Sequence, residues 1–171
     1  MFSFFNKVSA NYTLLAHNFE FKGIGGQTIK ISDYKEKVII VVNVASRCGF
    51  TKQYEDLQNL WTNYKNNNLV VIGVPTNDFK QEPASNKDIK NFCETNFNID
   101  FLLTEKTNVL GKNAHPFYKW AKENYGNGAI PKWNFHKIII GKDGKVADTF
   151  ASITNPSSKK FINFIEEQIK N

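Results

Sequence analysis

Arginine occurs once in this 171-residue chain, at Arg47, methionine once, and cysteine only twice, at Cys48 and Cys93. Two cysteines cannot build a disulfide framework. Such a chain is compatible with a reducing compartment, where a thiol is more often catalytic or inert than structural. The three histidines, His17, His115 and His136, are isolated from one another and from both thiols, so no metal-ligand spacing is present. No apolar run approaches the roughly 20 residues that span a bilayer; the longest, Val38 to Val42, is strand-sized. The opening MFSFFNKVSA has too short an apolar patch for a signal sequence and no clear cleavage site behind it. A cytoplasmic protein without membrane insertion is expected.

The charge is lopsided, with a net +6 carried almost wholly by lysine. The lysines are scattered, no helix carries a basic stripe, and no nucleic-acid motif accompanies them, so nucleic-acid binding is set aside. A solvated lysine-rich surface is the plain reading; attraction for an anionic substrate or an acidic partner is the sharper one.

The hydrophobic content of 41% is that of a globular chain, and its pattern changes period along the sequence. FEFKGIGGQTIKI, residues 19–31, reads as two short strands around a glycine-rich turn. KVIIVVNVAS then gives a continuous β-branched run, the mark of a strand covered on both faces. From Lys52 the period becomes helical, with Tyr54, Leu57, Leu60, Trp61 and Tyr64 on one face, and the three asparagines at 66–68 end it. LVVIGVP at 69–75 is a second buried strand. Strand, helix, strand makes a parallel βαβ unit. Helices follow at about 86–96, capped by Ser85 or Asn86, and at about 114–124. Residues 136–150 read as an antiparallel hairpin around Gly141 to Gly144, and a last helix covers about 157–169. No repeat or linker interrupts the chain. One α/β domain over 1–171 is expected, a thioredoxin-like fold with a central mixed β-sheet flanked by helices, an N-terminal β-hairpin, and residues 1–17 as a loose extension.

Cys48 follows the first long strand and precedes a helix. Ligands of open α/β sheets gather at the carboxyl ends of strands, and the first free N–H groups of a helix favour thiolate over thiol. Arg47 could add positive potential. Against this stands the inert cysteine at a strand end, since free cysteine behaves as a small hydrophobe. Cys93, beside Phe92 and Ile89 on a helical face, reads first as a core residue. A Cys-x-x-Cys dithiol is excluded because Thr51 occupies the second position, and a peroxiredoxin is disfavoured by Ala45.

The run NVASRCGFT, Asn43 to Thr51, resembles the active-site signature of the glutathione peroxidase family. Three further segments resemble that family in order: VPTNDFKQEP at 74–83, NAHPFYKWAK at 113–122 and KWNFHKIII at 132–140. The similarity runs from about residue 18 to the C-terminus. It implies a catalytic tetrad of Cys48 as peroxidatic residue, Gln81, Trp133 and Asn134. It also implies Cys93, in NFCETNF, as the resolving cysteine of the thioredoxin-dependent members. No cofactor or metal is implied; hydroperoxides are the substrates, and the electrons come from thioredoxin or, alternatively, glutathione. A redox relay that passes its oxidation to a client protein would use the same residues. The short stretch from Asn124 to Lys132, where selenocysteine members often carry an insertion for tetramer contacts, implies a monomer with an open site. The chain departs from the family where Thr76-Asn77-Asp78 replaces the usual Cys-Asn-Gln. Asp78 is expected to face solvent or pair with a lysine.

Overall fold

A computed structural model describes residues 12–171. Its frame is a five-stranded sheet in the order β5-β4-β3-β6-β7. The central strands are β3 (Val38–Val44) and β4 (Leu69–Pro75), paired in parallel from Val38 opposite Leu69 to Val44 opposite Pro75. Every residue of both is buried, as their unbroken apolar sequence requires of strands covered on two faces. On the other side of β3, β6 (Lys137–Ile140) runs antiparallel, followed by β7 (Val146–Phe150). The outer strand β5, Leu102–Leu103, pairs parallel to β4. A separate antiparallel pair, β1 (Glu20–Lys22) and β2 (Thr28–Lys30), forms the expected N-terminal hairpin.

Strand alternation sorts the core into two layers. Val38, Ile40, Val42 and Val44 pack with helices α1 (Gln53–Tyr64), α2 (Asn86–Phe97) and α4 (Lys159–Lys170). Ile39 and Val41 face α3 (Pro116–Tyr125) and the N-terminal hairpin, through Phe117, Trp120, Phe21 and Ile29. Burying each such side chain contributes about 1.5–3 kcal/mol, so this double-sided packing fixes the ends of β3 and β4 firmly. Of the segment expected as an extension, residues 1–11 lie outside the described residues. Tyr12 packs on Trp120, whose indole N–H donates to the Leu14 carbonyl at 2.8 Å.

The helix starts follow from local chemistry. Ser85 accepts a hydrogen bond from the Asp88 N–H at the head of α2, and Ser158 one from the Phe161 N–H at the head of α4, each worth about 1 kcal/mol. α3 opens on Pro116, whose missing N–H costs nothing in a first turn. Among the described residues no helix is long and apolar enough to cross a membrane. The whole is the thioredoxin-like arrangement, a mixed sheet flanked by helices.

Candidate active site

Because β4 runs parallel to β3 and β6 antiparallel, the ends of β3 and β4 and the start of β6 share one edge of the sheet. Cys48 follows β3 at that edge, Gln81 lies in the loop after β4, and Trp133 and Asn134 lie on the approach to β6. Backbone bonds tie these segments together. The Arg47 N–H donates to the Gln81 carbonyl at 3.1 Å, Thr76 to Val44 at 3.1 Å, and Phe135 to Asn43 at 2.6 Å. The Asn43 side-chain amide donates to the Trp133 carbonyl at 3.0 Å. Cys93, by contrast, sits on α2, fully buried.

Cys48 occupies a tight turn rather than the first helical turn. Thr51 Oγ1 accepts from the Cys48 N–H at 3.0 Å and donates to the Ala45 carbonyl at 3.1 Å. The Phe50 N–H donates to Cys48 Sγ at 3.4 Å. Since α1 begins only at Gln53, the sulfur meets the N–H of the entering turn.

The flanking loops hold unusual backbone. Lys80, just before Gln81, has φ 59°, and Phe135, just after Asn134, has φ 62°. Left-handed conformations cost a residue with a Cβ roughly 1–2 kcal/mol, and such strain concentrates where side chains must be aimed. Gln81 is half-buried. Trp133 is 38% exposed, its ring 5.4 Å from that of Phe79, so it is not a core residue. Asn134 is completely buried, and neither its Oδ1 nor its Nδ2 has a hydrogen-bond partner among the described residues. An unsatisfied buried amide costs about 1–3 kcal/mol.

Two carboxyl groups on these segments are held by hydrogen bonds. Asp78 is half-buried and pairs with no lysine among the described residues; its Oδ2 accepts from the Val109 and Leu110 N–H groups at 2.6 and 3.0 Å. Glu82, the middle residue of Gln-Glu-Pro, is buried and accepts from the Ser46 N–H and hydroxyl at 2.8 and 2.5 Å. Burial raises its pKa, against those two bonds and the positive charges of Lys106 and Arg47. Glu82 is a buried carboxyl group that sequence reasoning passed over although it stands inside the quoted motif.

Both thiols are free. Burial pushes the Cys93 thiol up to about 11, eased by the Tyr54 hydroxyl and reinforced by Glu82 and Glu94. Tyr54, from α1, sets its ring 6.4 Å from Phe92 and 5.5 Å from Phe97, which flank Cys93 on α2. Its hydroxyl has no partner in good hydrogen-bond geometry, although it lies against that thiol. The aromatic pair thus clamps Cys93 inside.

His136 supplies a pH prediction. Burial pushes its imidazole down to about 4, with the Gly128 backbone acting the other way and Lys137 and Lys132 adding to the drop. An unfolded ring protonates near 6.5. Between those values the unfolded chain binds more protons, so this stabilisation is complete above 6.5 and is lost as pH falls through 4. At 1.36 kcal/mol per unit the loss is about 3 kcal/mol. Urea unfolding at pH 7 and pH 4 measures it: His136→Gln loses less stability on acidification than the parent chain by about that amount.

The family model for glutathione peroxidase matches residues 16–122. A glutathione peroxidase of Lactococcus lactis subsp. cremoris is 41% identical over 90% of this chain and 96% of its own length. A glutathione peroxidase-like peroxiredoxin of Saccharomyces cerevisiae, HYR1, is 41% identical over 85% of this chain and 90% of its own. A hydroperoxy fatty acid reductase of Synechocystis is 39% identical, covering 86% and 91%. Among solved structures, Trgpx in apo form superposes with a TM-score of 0.73 at 36% identity, over 94% of this chain and 98% of that one. A putative thioredoxin from Neisseria meningitidis, 18% identical with a TM-score of 0.64 over 90% of this chain and 88% of that one, shares the fold alone. With the family model and these relatives spanning most of its length, the chain is a peroxidase and belongs to the glutathione peroxidase family.

Proposed function

We propose that this chain reduces hydrogen peroxide and organic hydroperoxides through Cys48, with Gln81, Trp133 and Asn134 as its hydrogen-bond donors, and closes the cycle through Cys93 and a thioredoxin-type dithiol. The observation that carries the reading is the Asn134 amide, fully buried and unpartnered beside the strand end that bears Cys48. A group so costly to bury is explained by a role toward charge that appears only during reaction. The Cys48 thiolate attacks one peroxide oxygen; the S–O bond forms, the O–O bond breaks, and the departing alkoxide or hydroxide takes a proton. Uncharged N–H donors stabilise both the anionic sulfur and that leaving oxygen without repelling either.

The sulfenic acid left on Cys48 is then displaced by the Cys93 thiolate. The S–S bond forms, the S–O bond breaks, and hydroxide leaves as water once protonated. A dithiol reduces the bridge by exchange, becoming a disulfide itself. A second reading, direct reduction of the sulfenic acid by glutathione, draws on the burial of Cys93, which keeps that thiol from reacting while α2 is closed. Stopped-flow fluorescence with hydrogen peroxide tests the first step: one equivalent of peroxide is consumed per chain in a second-order burst. Steady-state turnover with thioredoxin, set against glutathione, tests the second. No burst at any peroxide concentration would end the peroxidase assignment of Cys48.

A further inference from the structure

Lys137 stands apart from the proposed chemistry. It is completely buried, and among the described residues no carboxylate pairs with it. Its Nζ donates to Gln53 Oε1 at 2.6 Å, to the Ser152 carbonyl at 3.3 Å, to the Ala151 carbonyl at 3.5 Å and to the Thr154 carbonyl. Gln53, itself buried at the head of α1, donates from Nε2 to the Ser152 carbonyl at 2.7 Å. Three carbonyls of one short loop between β7 and α4 are thus turned inward onto one amine, whose pKa burial pushes down to about 7. A buried amine is tolerated only where oxygen acceptors replace its water; here they are the side chain of Gln53 and the backbone of that loop, which these bonds tie to β6.

What the loop then presents outward is Ile153, 78% exposed and the most exposed of the large hydrophobic side chains among the described residues. It forms one wall of a groove of about 500 Å³, whose other walls include Phe50, Ile130 and Trp133. That volume suits a small organic ligand. Cys48 does not itself line the groove, but Phe50 does, and its N–H is the group that donates to Cys48 Sγ at 3.4 Å, so the groove lies next to the turn that carries the sulfur. Lys132, exposed on the same groove, places positive charge where an acidic head group would lie. A single exposed isoleucine is ordinary, but here it continues an apolar lining that Phe50, Ile130 and Trp133 share, and a contiguous patch of that kind marks a binding groove.

We propose that Ile153, with Phe50 and Ile130, binds the hydrocarbon part of an organic hydroperoxide, and that Lys137 is the positioning residue that holds the Ile153 wall in place. The inference rests on hydroperoxide reduction by Cys48 and adds to it the residues that discriminate among hydroperoxides. Hydrogen peroxide has nothing to place in the groove; an alkyl or acyl chain does, and its apolar area leaves water as the oxygen reaches the sulfur.

The test uses the full chain in single-turnover stopped flow with hydrogen peroxide, cumene hydroperoxide and linoleic acid hydroperoxide. The quantity read is the ratio of each organic rate constant to that for hydrogen peroxide. Ile153→Ser, a surface change that leaves the core untouched, lowers both ratios five- to tenfold. Ile153→Phe, which enlarges the wall, raises or holds them. Lys137→Met lowers them as Ile153→Ser does, and a circular-dichroism melt checks that this variant is folded. Ratios equal to the parent chain's in Ile153→Ser would overturn the groove assignment. Ratios equal to the parent's in a folded Lys137→Met, alongside a fall in Ile153→Ser, would overturn the positioning role. If the parent chain itself fails to react with any of the three, it is the role of Cys48 that fails.

Discussion

Replacing Cys93 by serine removes turnover driven by a thioredoxin-type dithiol, by at least about 100-fold, while one stoichiometric round of hydroperoxide reduction by Cys48 survives. The expectation follows from the division of labour between the two thiols. Cys48 is half-buried in a turn at the sheet edge with an N–H aimed at its sulfur. Cys93 lies wholly inside α2, with Phe92 and Phe97 packed against Tyr54 on either side. With its thiol pushed up to about 11, only about one Cys93 in 3,000 is ionised at pH 7.5 in the closed helix. A disulfide also needs the two Cα atoms within about 7 Å. In the proposed cycle, resolution then proceeds from a conformer in which the helix has opened and the thiol has regained an ordinary acidity, a local event well below the cost of global unfolding. Trapping by a sulfenic-acid reagent separates the steps: in Cys93→Ser the adduct accumulates to one per chain, and in the parent chain it is transient. Undiminished steady-state turnover in the variant would remove Cys93 from the cycle and leave glutathione as the reductant.

The same contrast explains what could be read from the sequence. The strands β3 and β4 were legible because strands buried on both faces must be apolar throughout, and Val38–Val44 and Leu69–Pro75 are nearly so. α2 was legible from Ser85 and the spacing of Ile89, Phe92 and Cys93. β5 was not, since two residues, Leu102 and Leu103, carry no period. Nor does composition reveal that Lys137 and Glu82 are buried: a lysine and a glutamate read as surface residues until partners from distant segments are known. Asp78 was misjudged for that reason. Its partners are backbone N–H groups at 109 and 110, supplied by a loop that no local pattern connects to it. At the site, the order of four motifs was readable. The edge they share follows from β6 running antiparallel to β3, which is a property of the sheet.

Asn134→Asp is the substitution that tests that edge most severely, slowing the oxidation of Cys48 by about 100- to 1,000-fold at pH 8, the range seen when a single donor to a developing oxyanion is lost. The change is almost isosteric, so the packing around this fully buried side chain persists. What differs is electrical. A neutral amide that can donate becomes a carboxylate that only accepts, set beside a sulfur and an oxygen that both carry negative charge. Asn134→Ala removes the donor without adding charge and costs less, at the lower end of that range, about 100-fold. Buried without a partner, the new carboxyl group has its pKa raised, and once protonated it can donate again. The deficit of Asn134→Asp relative to the parent chain therefore shrinks as pH falls from 8 to 5, whereas that of Asn134→Ala stays level. Stopped-flow oxidation rates across this range distinguish the two. Rates for Asn134→Asp within threefold of the parent chain at every pH would mean that the amide faces something other than the reacting atoms, and its burial would then need another cause.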